Sequence, residues 1–563
     1  MRAPRPYVPE PVDPTEVSPS GPLRAIKQAG LVLLAAAWVV LGLLGHDPWK
    51  IEDATSFGVA WEMVQHGDYV VPHLAGEVWL TRPPLMPALE AVAIRVASPP
   101  LAPFNAARIA VGFVLALTLL VTALASREFS GRAFRWLPVL ILIGSVGLWE
   151  RAHLMSGELG NMLGVAVALY GFAIALRRPV WGGALLGGGI AIAFLSRGVL
   201  GPAWIAATAI ILPALGSVWR TRAYAVTGAV ASAVAVLLSA PWLVALQWRD
   251  PQLLAMWVAN ESPSNYFAFL GRGGGDLFYQ LRNLPWFAWP AVPLVIWTLS
   301  VRGRGFNSGL NDPGLQVPGV LALIIFVTLS LAPEPRVISA MPLLVPLALL
   351  AALEIDTLKR GYSAALDWFG ILTFGLLGIV GWALWIDARV NGMSSRVAVL
   401  LRDTELGFQP TFHLGSMLAA VALGVLWIML VRPARRTNRR AVLNWAAGVT
   451  LLWGLYSTIW LPYLDSRRTY RPMIESMTPS LLVPGCVKSR NLGEAQRALF
   501  QYFAGLTTVR EEAKGDVDCP LLLVQYGRQE GAAPAIAGWN AIWEGRRRGD
   551  DTERYVLYAR AKR

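Results

Sequence analysis

Residues Pro84–Ala97 read PLMPALEAVAIRVA, and the reading of this stretch decides the orientation of everything that follows it. It is apolar, but it carries Glu90 and Arg95. As a helix it would cover only about 21 Å at 1.5 Å per residue, short of the roughly 30 Å of hydrocarbon in a bilayer. It is therefore expected to lie in the membrane interface. Thirteen longer apolar runs surround it: Ala29–Gly45 before it, then 109–125, 134–149, 159–176, 180–195, 199–218, 223–246, 284–299, 317–332, 337–353, 368–386, 414–431 and 442–461. If 84–97 stays in the interface and the N-terminus is cytoplasmic, the basic connectors share one side, as positive charge in short loops requires. They are Arg127/Arg132/Arg135, Arg177/Arg178, Arg220/Arg222, Arg302/Arg304, Lys359/Arg360 and Arg432, Arg435, Arg436, Arg439 and Arg440. If it crossed, these clusters would move to the outer face.

The bulk composition agrees. The chain has 563 residues, 55% of them hydrophobic and only 15% charged, with a mean hydropathy of +0.48, too apolar for a soluble chain of this length. The 24 Trp suit rings at bilayer interfaces. A net charge of +13 could suggest nucleic acid, but much of the basic charge lies in the connectors, where it sets topology, so no nucleic-acid partner is expected. Two cysteines, Cys486 and Cys519, exclude a disulfide scaffold and a four-thiolate metal site. They could pair if their domain faces an oxidising compartment.

The expected fold class is an all-α polytopic membrane protein with about thirteen spans, interfacial helices in the first outer loop, and a small C-terminal α/β domain. Residues 1–24 read as a disordered cytoplasmic tail, seven prolines falling within the first 22 positions. Residues 25–462 form the membrane domain, with 46–108 as its first outer loop, and 463–563 form the outer C-terminal domain. In that domain a helix is expected over 492–503 and strands over 521–525 and 555–558. Neither a P-loop, a Rossmann glycine motif, a serine nucleophile elbow nor an internal repeat is present.

Candidate chemistry gathers in the outer loops. Glu52 and Asp53 sit just after the first span, where carboxylates are costly unless paired, used or solvated. Arg82 precedes Pro83-Pro84, whose fixed φ stiffens the backbone, and a guanidinium held there suits bidentate phosphate binding or snorkelling to headgroups. Glu150, Arg151, His153 and Glu158 crowd the second outer loop. Glu158 would also complement the dipole of the helix it opens. Arg197 lies in a short turn between two apolar runs, and Arg336 in E-P-R between two more. His66 and His73 are separated by Gly67 and Pro72, which break any helix that could align them, so no metal site is expected.

At these same residues the chain resembles the ArnT-like bacterial members of the protein mannosyltransferase superfamily, best known for transferring 4-amino-4-deoxy-L-arabinose to lipid A. An acidic pair after the first span, E-M, G-D-W, V-P, a glycine and K-P-P-L appear here as Glu52-Asp53, Glu62-Met63, Gly67-Asp68-Tyr69, Val71-Pro72, Gly76 and Arg82-Pro83-Pro84-Leu85. The series continues through Glu158 (usually Asp), Arg197-Gly198 (usually Lys-Gly), Pro241-Trp242 and L-P-Y-L-D after the last span. The resemblance implies a GT-C fold in the bacterial inner membrane, multi-pass, with an outward active site and a periplasmic C-terminal domain. It implies inverting transfer of a sugar from a polyprenyl (undecaprenyl) phosphate donor to lipid A or another envelope glycolipid or glycan. A protein O-glycosyltransferase of the same fold and a non-catalytic lipid-linked sugar flippase are the competing readings. Glu52, Asp53 and Glu158 are then the catalytic candidates, Arg82, Arg197 and Arg336 the donor-phosphate ligands, and Tyr69, His73, Arg151 and His153 the substrate-pocket residues. No cofactor is required on this reading, although such carboxylates can work with or without a divalent ion. The expected partners are the two substrates and membrane lipids, and the expected state is a monomer.

Overall fold

The computed structural model describes residues 21–267, 276, 278–307, 309–333, 335–391, 412–432, 437–481, 485–514, 517–527, 535–550 and 552–561. Most of the expected tail, 1–20, and Arg435 and Arg436 lie outside them. Residues 21–24, expected in the tail, instead open the first helix, Gly21–Val40.

Each of the thirteen apolar runs falls on a helix or a bent pair of helices. Among the described residues, seven helices are long and apolar enough to cross a membrane: Pro103–Ser130, Gly157–Ile174, Pro179–Arg197, Arg222–Arg249, Pro313–Ser330, Arg360–Val390 and Leu414–Val431. Three more runs are pairs of helices bent by 59°, 98° and 63°, and three are shorter apolar helices, Lys27–Val40, Leu200–Leu215 and Ile338–Ala352. Exposed Ile210, Leu237 and Ile379, each about 70% accessible or more, mark faces that water would not tolerate in such number.

Two of the three bent runs break near the middle of the expected span. The 134–149 run splits between Leu137–Ile143 and Val146–Leu148, and the indole of Trp445 donates to the carbonyl of Gly144 at the break (2.8 Å). The 284–299 run turns by 98° before Ala291, where Pro290 has no N–H to continue the ladder. The first helix stops at Val40, not Gly45. Gly42 then takes φ +78°, and a side chain there would strike the Trp453 ring.

The first outer loop is more ordered than its sequence suggests. It contains a helix at Glu52–His66, a short hairpin of β1 (His73–Leu74) and β2 (Glu77–Val78), and the Leu85–Ala97 helix. Glu52 and Asp53 occupy the first turn of the first helix, where negative charge complements the dipole. Gly67 ends it in the left-handed region at φ +73°.

The C-terminal domain is a mixed five-stranded sheet. Its strands are β3 (Val487–Arg490), β4 (Thr508–Arg510), β5 (Leu521–Gly527), β6 (Trp539–Gly545) and β7 (Glu553–Arg560), in the spatial order β4-β3-β5-β7-β6. β3 runs parallel to β4 and β5, and β5, β7 and β6 are antiparallel. The expected helix appears as Glu494–Ala504. Alternation along β5 sends Leu521 and Leu523 to the face packed by Ile474, Leu499 and Phe500, and Leu522, Val524 and Tyr526 to the other, with Val556 and Tyr558. Cys486 and Cys519 form a disulfide with Cα atoms 5.1 Å apart.

Candidate active site

The site is built from the ends of helices, beginning with the adjacent carboxylates Glu52 and Asp53. Successive helical residues point about 100° apart, and the two diverge accordingly. Asp53 turns inward and is 1% exposed. It accepts from the Arg108 guanidinium (2.6 Å) and from the backbone N–H groups of Trp49 (3.1 Å) and Met155 (3.0 Å). Arg108 also donates to the carbonyls of His46 and Asp47 (2.6 and 3.0 Å). This buried pair fixes the start of the loop, and Asp53 stands behind the cavity wall.

Glu52 turns outward onto Arg82, which grips it with both terminal nitrogens (2.6 and 3.3 Å). Arg336 approaches from across the site at 3.6 Å. Burial pushes the Glu52 carboxyl up, but Arg82, then Arg336 and Arg197, outweigh that and hold it below the ordinary carboxylate range. A buried carboxyl, Glu90, lies beneath and shares the hydroxyl of Ser56 (2.9 and 3.0 Å). Burial drives Glu90 well above the ordinary range, against Ser56 and Arg108 and with the nearby Asp53 charge.

A second pair stands alongside. Glu158, in the first turn of Gly157–Ile174, accepts from Arg197 Nε (2.7 Å) and the Ser339 hydroxyl (3.3 Å), and its Oε2 has no partner among the described residues. Gly157 allows the approach, because a Cβ there would lie 2.4 Å from the Ser196 carbonyl. After Arg197 the chain turns at Gly198 with φ +91°, where a Cβ would meet the Glu261 carboxylate at 2.3 Å. Glu261 accepts from the Val199 N–H (2.9 Å) and the Tyr266 hydroxyl (2.6 Å), tying the 261–266 segment to the site. Burial, then Glu261, raises the Tyr266 hydroxyl above its ordinary range, so it remains a donor.

Two cavities meet at these pairs. One, of about 520 Å³, is lined by Lys50, Glu52, Ser56, Trp79, Arg82, Arg336 and, from the C-terminal domain, Asn491, Glu494, Gln496 and Gln525. The other, of about 580 Å³, is lined by Arg82, Glu158, Arg197, Arg336, Ser264, Asn265 and Tyr266, and by apolar residues at the ends of the Leu200–Leu215 and Pro313–Ser330 helices, Leu200, Trp204 and Leu329. Thr81, Arg82 and Arg336 belong to both.

Five of the ten candidate residues, Glu52, Arg82, Glu158, Arg197 and Arg336, thus converge. The four assigned to the substrate pocket do not join them. Tyr69 lies under the Arg95 guanidinium, 5.4 Å from its ring centre. His73 holds the Val71 carbonyl (2.8 Å) and faces a separate surface cavity with Glu62, Asp68 and Arg249. Arg151 reaches back to the Gly147 carbonyl (3.4 Å) and lies over the Phe287 ring. His153 is 2% exposed, with its ring nitrogens on the carbonyls of Trp149 and Trp38 (2.7 and 2.9 Å). Residues that the sequence did not single out are Lys50, Ser56, Tyr266, Ser339 and the C-terminal-domain wall. The polar run N-E-S-P-S-N-Y at 260–266 was the one visible signal among them. Among the described residues no three His, Cys, Asp or Glu side chains are grouped to hold a metal ion.

No family model matches the chain. It is similar to the undecaprenyl phosphate-alpha-4-amino-4-deoxy-L-arabinose arabinosyl transferase of Serratia proteamaculans, at 23% identity over 452 residues covering 76% of each chain. The corresponding transferase 2 of Pseudomonas fluorescens is 26% identical over 461 residues, covering 75% of this chain and 70% of that one. Among solved structures, ArnT from Cupriavidus metallidurans bound to undecaprenyl phosphate superposes with a TM-score of 0.66 at 14% identity, over 96% of this chain and 98% of that one. The resemblance read from the motif series therefore holds in sequence and in architecture: this chain has the GT-C fold of ArnT and is similar to the ArnT-type arabinosyl transferases over about three quarters of its length.

Proposed function

We propose that this protein is an integral membrane glycosyltransferase that moves a sugar from a polyprenyl phosphate donor to lipid A or another envelope glycolipid, with inversion at the anomeric carbon. The observation that carries the reading is the Arg82–Glu52 pair, whose arginine lines both cavities and whose carboxylate lines the first. The cavity that reaches the helix residues Leu200, Trp204 and Leu329 suits the donor lipid, and Arg82, Arg197 and Arg336 offer its phosphate a cationic, fork-shaped seat. The acceptor occupies the other cavity, which Glu52 lines.

In this arrangement the guanidinium groups are neutralised by Glu52 and Glu158 until a phosphate competes for them. As the bond between the anomeric carbon and the phosphate oxygen breaks, charge grows on the leaving phosphate, and the arginines stabilise it. Drawing Arg82 toward phosphate loosens its hold on Glu52, which raises the basicity of that carboxylate at the moment an acceptor hydroxyl must be oriented or deprotonated. An acceptor phosphate is already ionised and would need only orientation. Glu158 positions Arg197, and Asp53 positions the loop through Arg108.

The same reading assigns thirteen spans, counting each bent pair once and including the three shorter helices, with the Leu85–Ala97 helix in the interface. It puts the protein in the bacterial inner membrane as a monomer, the N-terminal tail before Gly21 inside, the domain from the first helix to 462 in the membrane, and the 463–563 domain in the periplasm, where a disulfide is at home. The deciding experiment is mass spectrometry of envelope glycolipids and polyprenyl phosphates from isogenic cells with and without the gene. A glycolipid should lose one sugar mass while its lipid-linked donor accumulates, and Arg82→Ala should reproduce the deletion. Unchanged profiles would refute the reading.

A further inference from the structure

The 520 Å³ cavity has two walls of different chemistry. The membrane-domain wall is ionic, formed by Lys50, Glu52, Arg82 and Arg336. The wall contributed by the C-terminal domain is mostly amide, with Asn491, Gln496 and Gln525, plus the single carboxylate of Glu494. Trp79 lies beside it and donates its indole N–H to Glu494 Oε2 (3.0 Å). The phosphate-seating charges are thus all on one side, so the amide wall must meet some other part of a substrate. Side-chain amides both donate and accept, and a hydroxyl does the same. An amide-rich wall next to an aromatic ring fits a polyhydroxylated ring and offers little to a lipid chain or a bare phosphate.

Its location says which ring. Inversion requires the attacking oxygen and the leaving phosphate on opposite faces of the anomeric carbon. The phosphate seat continues into the Glu158–Arg197 cavity through Arg82 and Arg336, which line both, whereas Glu52 and the amide wall line only the 520 Å³ cavity. We infer that Gln525, Gln496, Asn491 and Glu494 form a sugar-recognition wall that binds the acceptor's own glycan and so selects the acceptor. This rests on the transferase reading above.

The wall is held ready in advance. Arg497 and Arg510 of the C-terminal domain donate to Glu77 on β2 (2.8 and 3.3 Å). Lys50 pairs with Glu553, which also accepts from Gln496 (3.3 and 3.4 Å). The Glu494–Ala504 helix meets Glu52–His66 so closely that a Cβ on Gly58 would lie 2.5 Å from that of Ala498. A preformed wall of this kind loses little entropy on binding.

The test uses membranes from gene-deleted cells complemented with the full-length protein, with the glycolipid extract of the uncomplemented deletion cells titrated as acceptor, since it contains whatever the protein would modify in its unmodified form. Gln525→Leu and Glu494→Gln should each raise the apparent KM for the extract about fivefold or more, with kcat and undecaprenyl phosphate binding near wild type, the signature of lost ground-state binding. Gln525→Leu leaves the Trp79 anchor intact, so a folding defect in Glu494→Gln would not obscure the result. An unchanged acceptor KM in Gln525→Leu, or a rise in donor KM in its place, overturns the inference. Arg82→Ala in the same assay reports separately on the transferase reading: transfer surviving in it overturns that reading, whereas its loss beside an unchanged acceptor KM in Gln525→Leu overturns only the sugar wall.

Discussion

At the scale of single residues, Glu52 separates binding from chemistry. Its carboxylate pairs with Arg82, so on the proposed mechanism, in which phosphate competes for that arginine, Glu52→Gln should leave undecaprenyl phosphate binding as tight as in the wild type or tighter while transfer to a hydroxyl acceptor falls about 100-fold. Binding and single-turnover measurements on one preparation check both halves. Arg82→Lys, which keeps the charge but not the fork, should retain part of the activity that Arg82→Ala loses. Glu90 gives a prediction about pH. Its folded carboxyl lies well above the ordinary value of 4.5, so between those limits the folded state holds a proton that the unfolded state has released. Stability therefore falls as pH rises through that interval. Glu90→Gln should remove the slope, matching wild type in acid and exceeding it near neutrality in thermal unfolding followed across pH. The sequence disclosed Glu52, Arg82, Glu158, Arg197 and Arg336 because each is a charge beside an apolar run, where physics demands a partner or a use. It could not disclose that Asp53 points inward while its neighbour points out. That depends on the rotation of a helix about its axis, as does the burial of His153 against backbone carbonyls.

At the scale of elements, long apolar runs were legible because a span must satisfy its own backbone over the whole hydrocarbon thickness. The breaks inside 134–149 and 284–299 were not, because the freed backbone groups are satisfied by distant partners such as Trp445. The Glu52–His66 helix was missed for a different reason. It is buried on nearly every side, from Asp53 through Ala60, so it shows no amphipathic stripe from which a period could be read. The pairing of the cysteines waited on strand order, since Cys486 and Cys519 precede the parallel neighbours β3 and β5. Their separation of 33 residues sets the expected effect of the cross-link at about 3 to 4 kcal/mol on a chain-entropy basis. Replacing both by serine should lower the unfolding temperature of the C-terminal domain within the full-length protein, and reduction should do the same to the wild type while leaving the double variant unmoved. Equal sensitivity of both proteins to reductant would contradict the bond.

At the scale of the whole molecule, the cavities exist because two bodies of different composition meet. The membrane domain supplies the arginines, and the C-terminal sheet closes over them through Lys50–Glu553, Arg471–Asp47 and the Glu77 cluster. Asp47 also accepts from the Thr469 hydroxyl (2.6 Å), and Asp465 from the Trp49 indole (2.9 Å), so the segment after the last apolar helix is fastened to the segment after the first. That contact has a consequence for topology. Two segments joined in this way must emerge on one face of the membrane, which demands an odd number of crossings between the N-terminus and residue 462. Thirteen satisfies this, whereas letting Leu85–Ala97 cross as well would leave Asp47 and Arg471 on opposite sides of the bilayer. Alkaline phosphatase, which folds only where its disulfides can form, turns this into a measurement. Fused after Arg560 it should be active, and fused after Arg304 or Arg440, in the basic connectors, it should be inactive. Activity at the connectors together with silence at the C-terminus would invert the molecule, place both cavities on the cytoplasmic face and overturn the periplasmic assignment of the site.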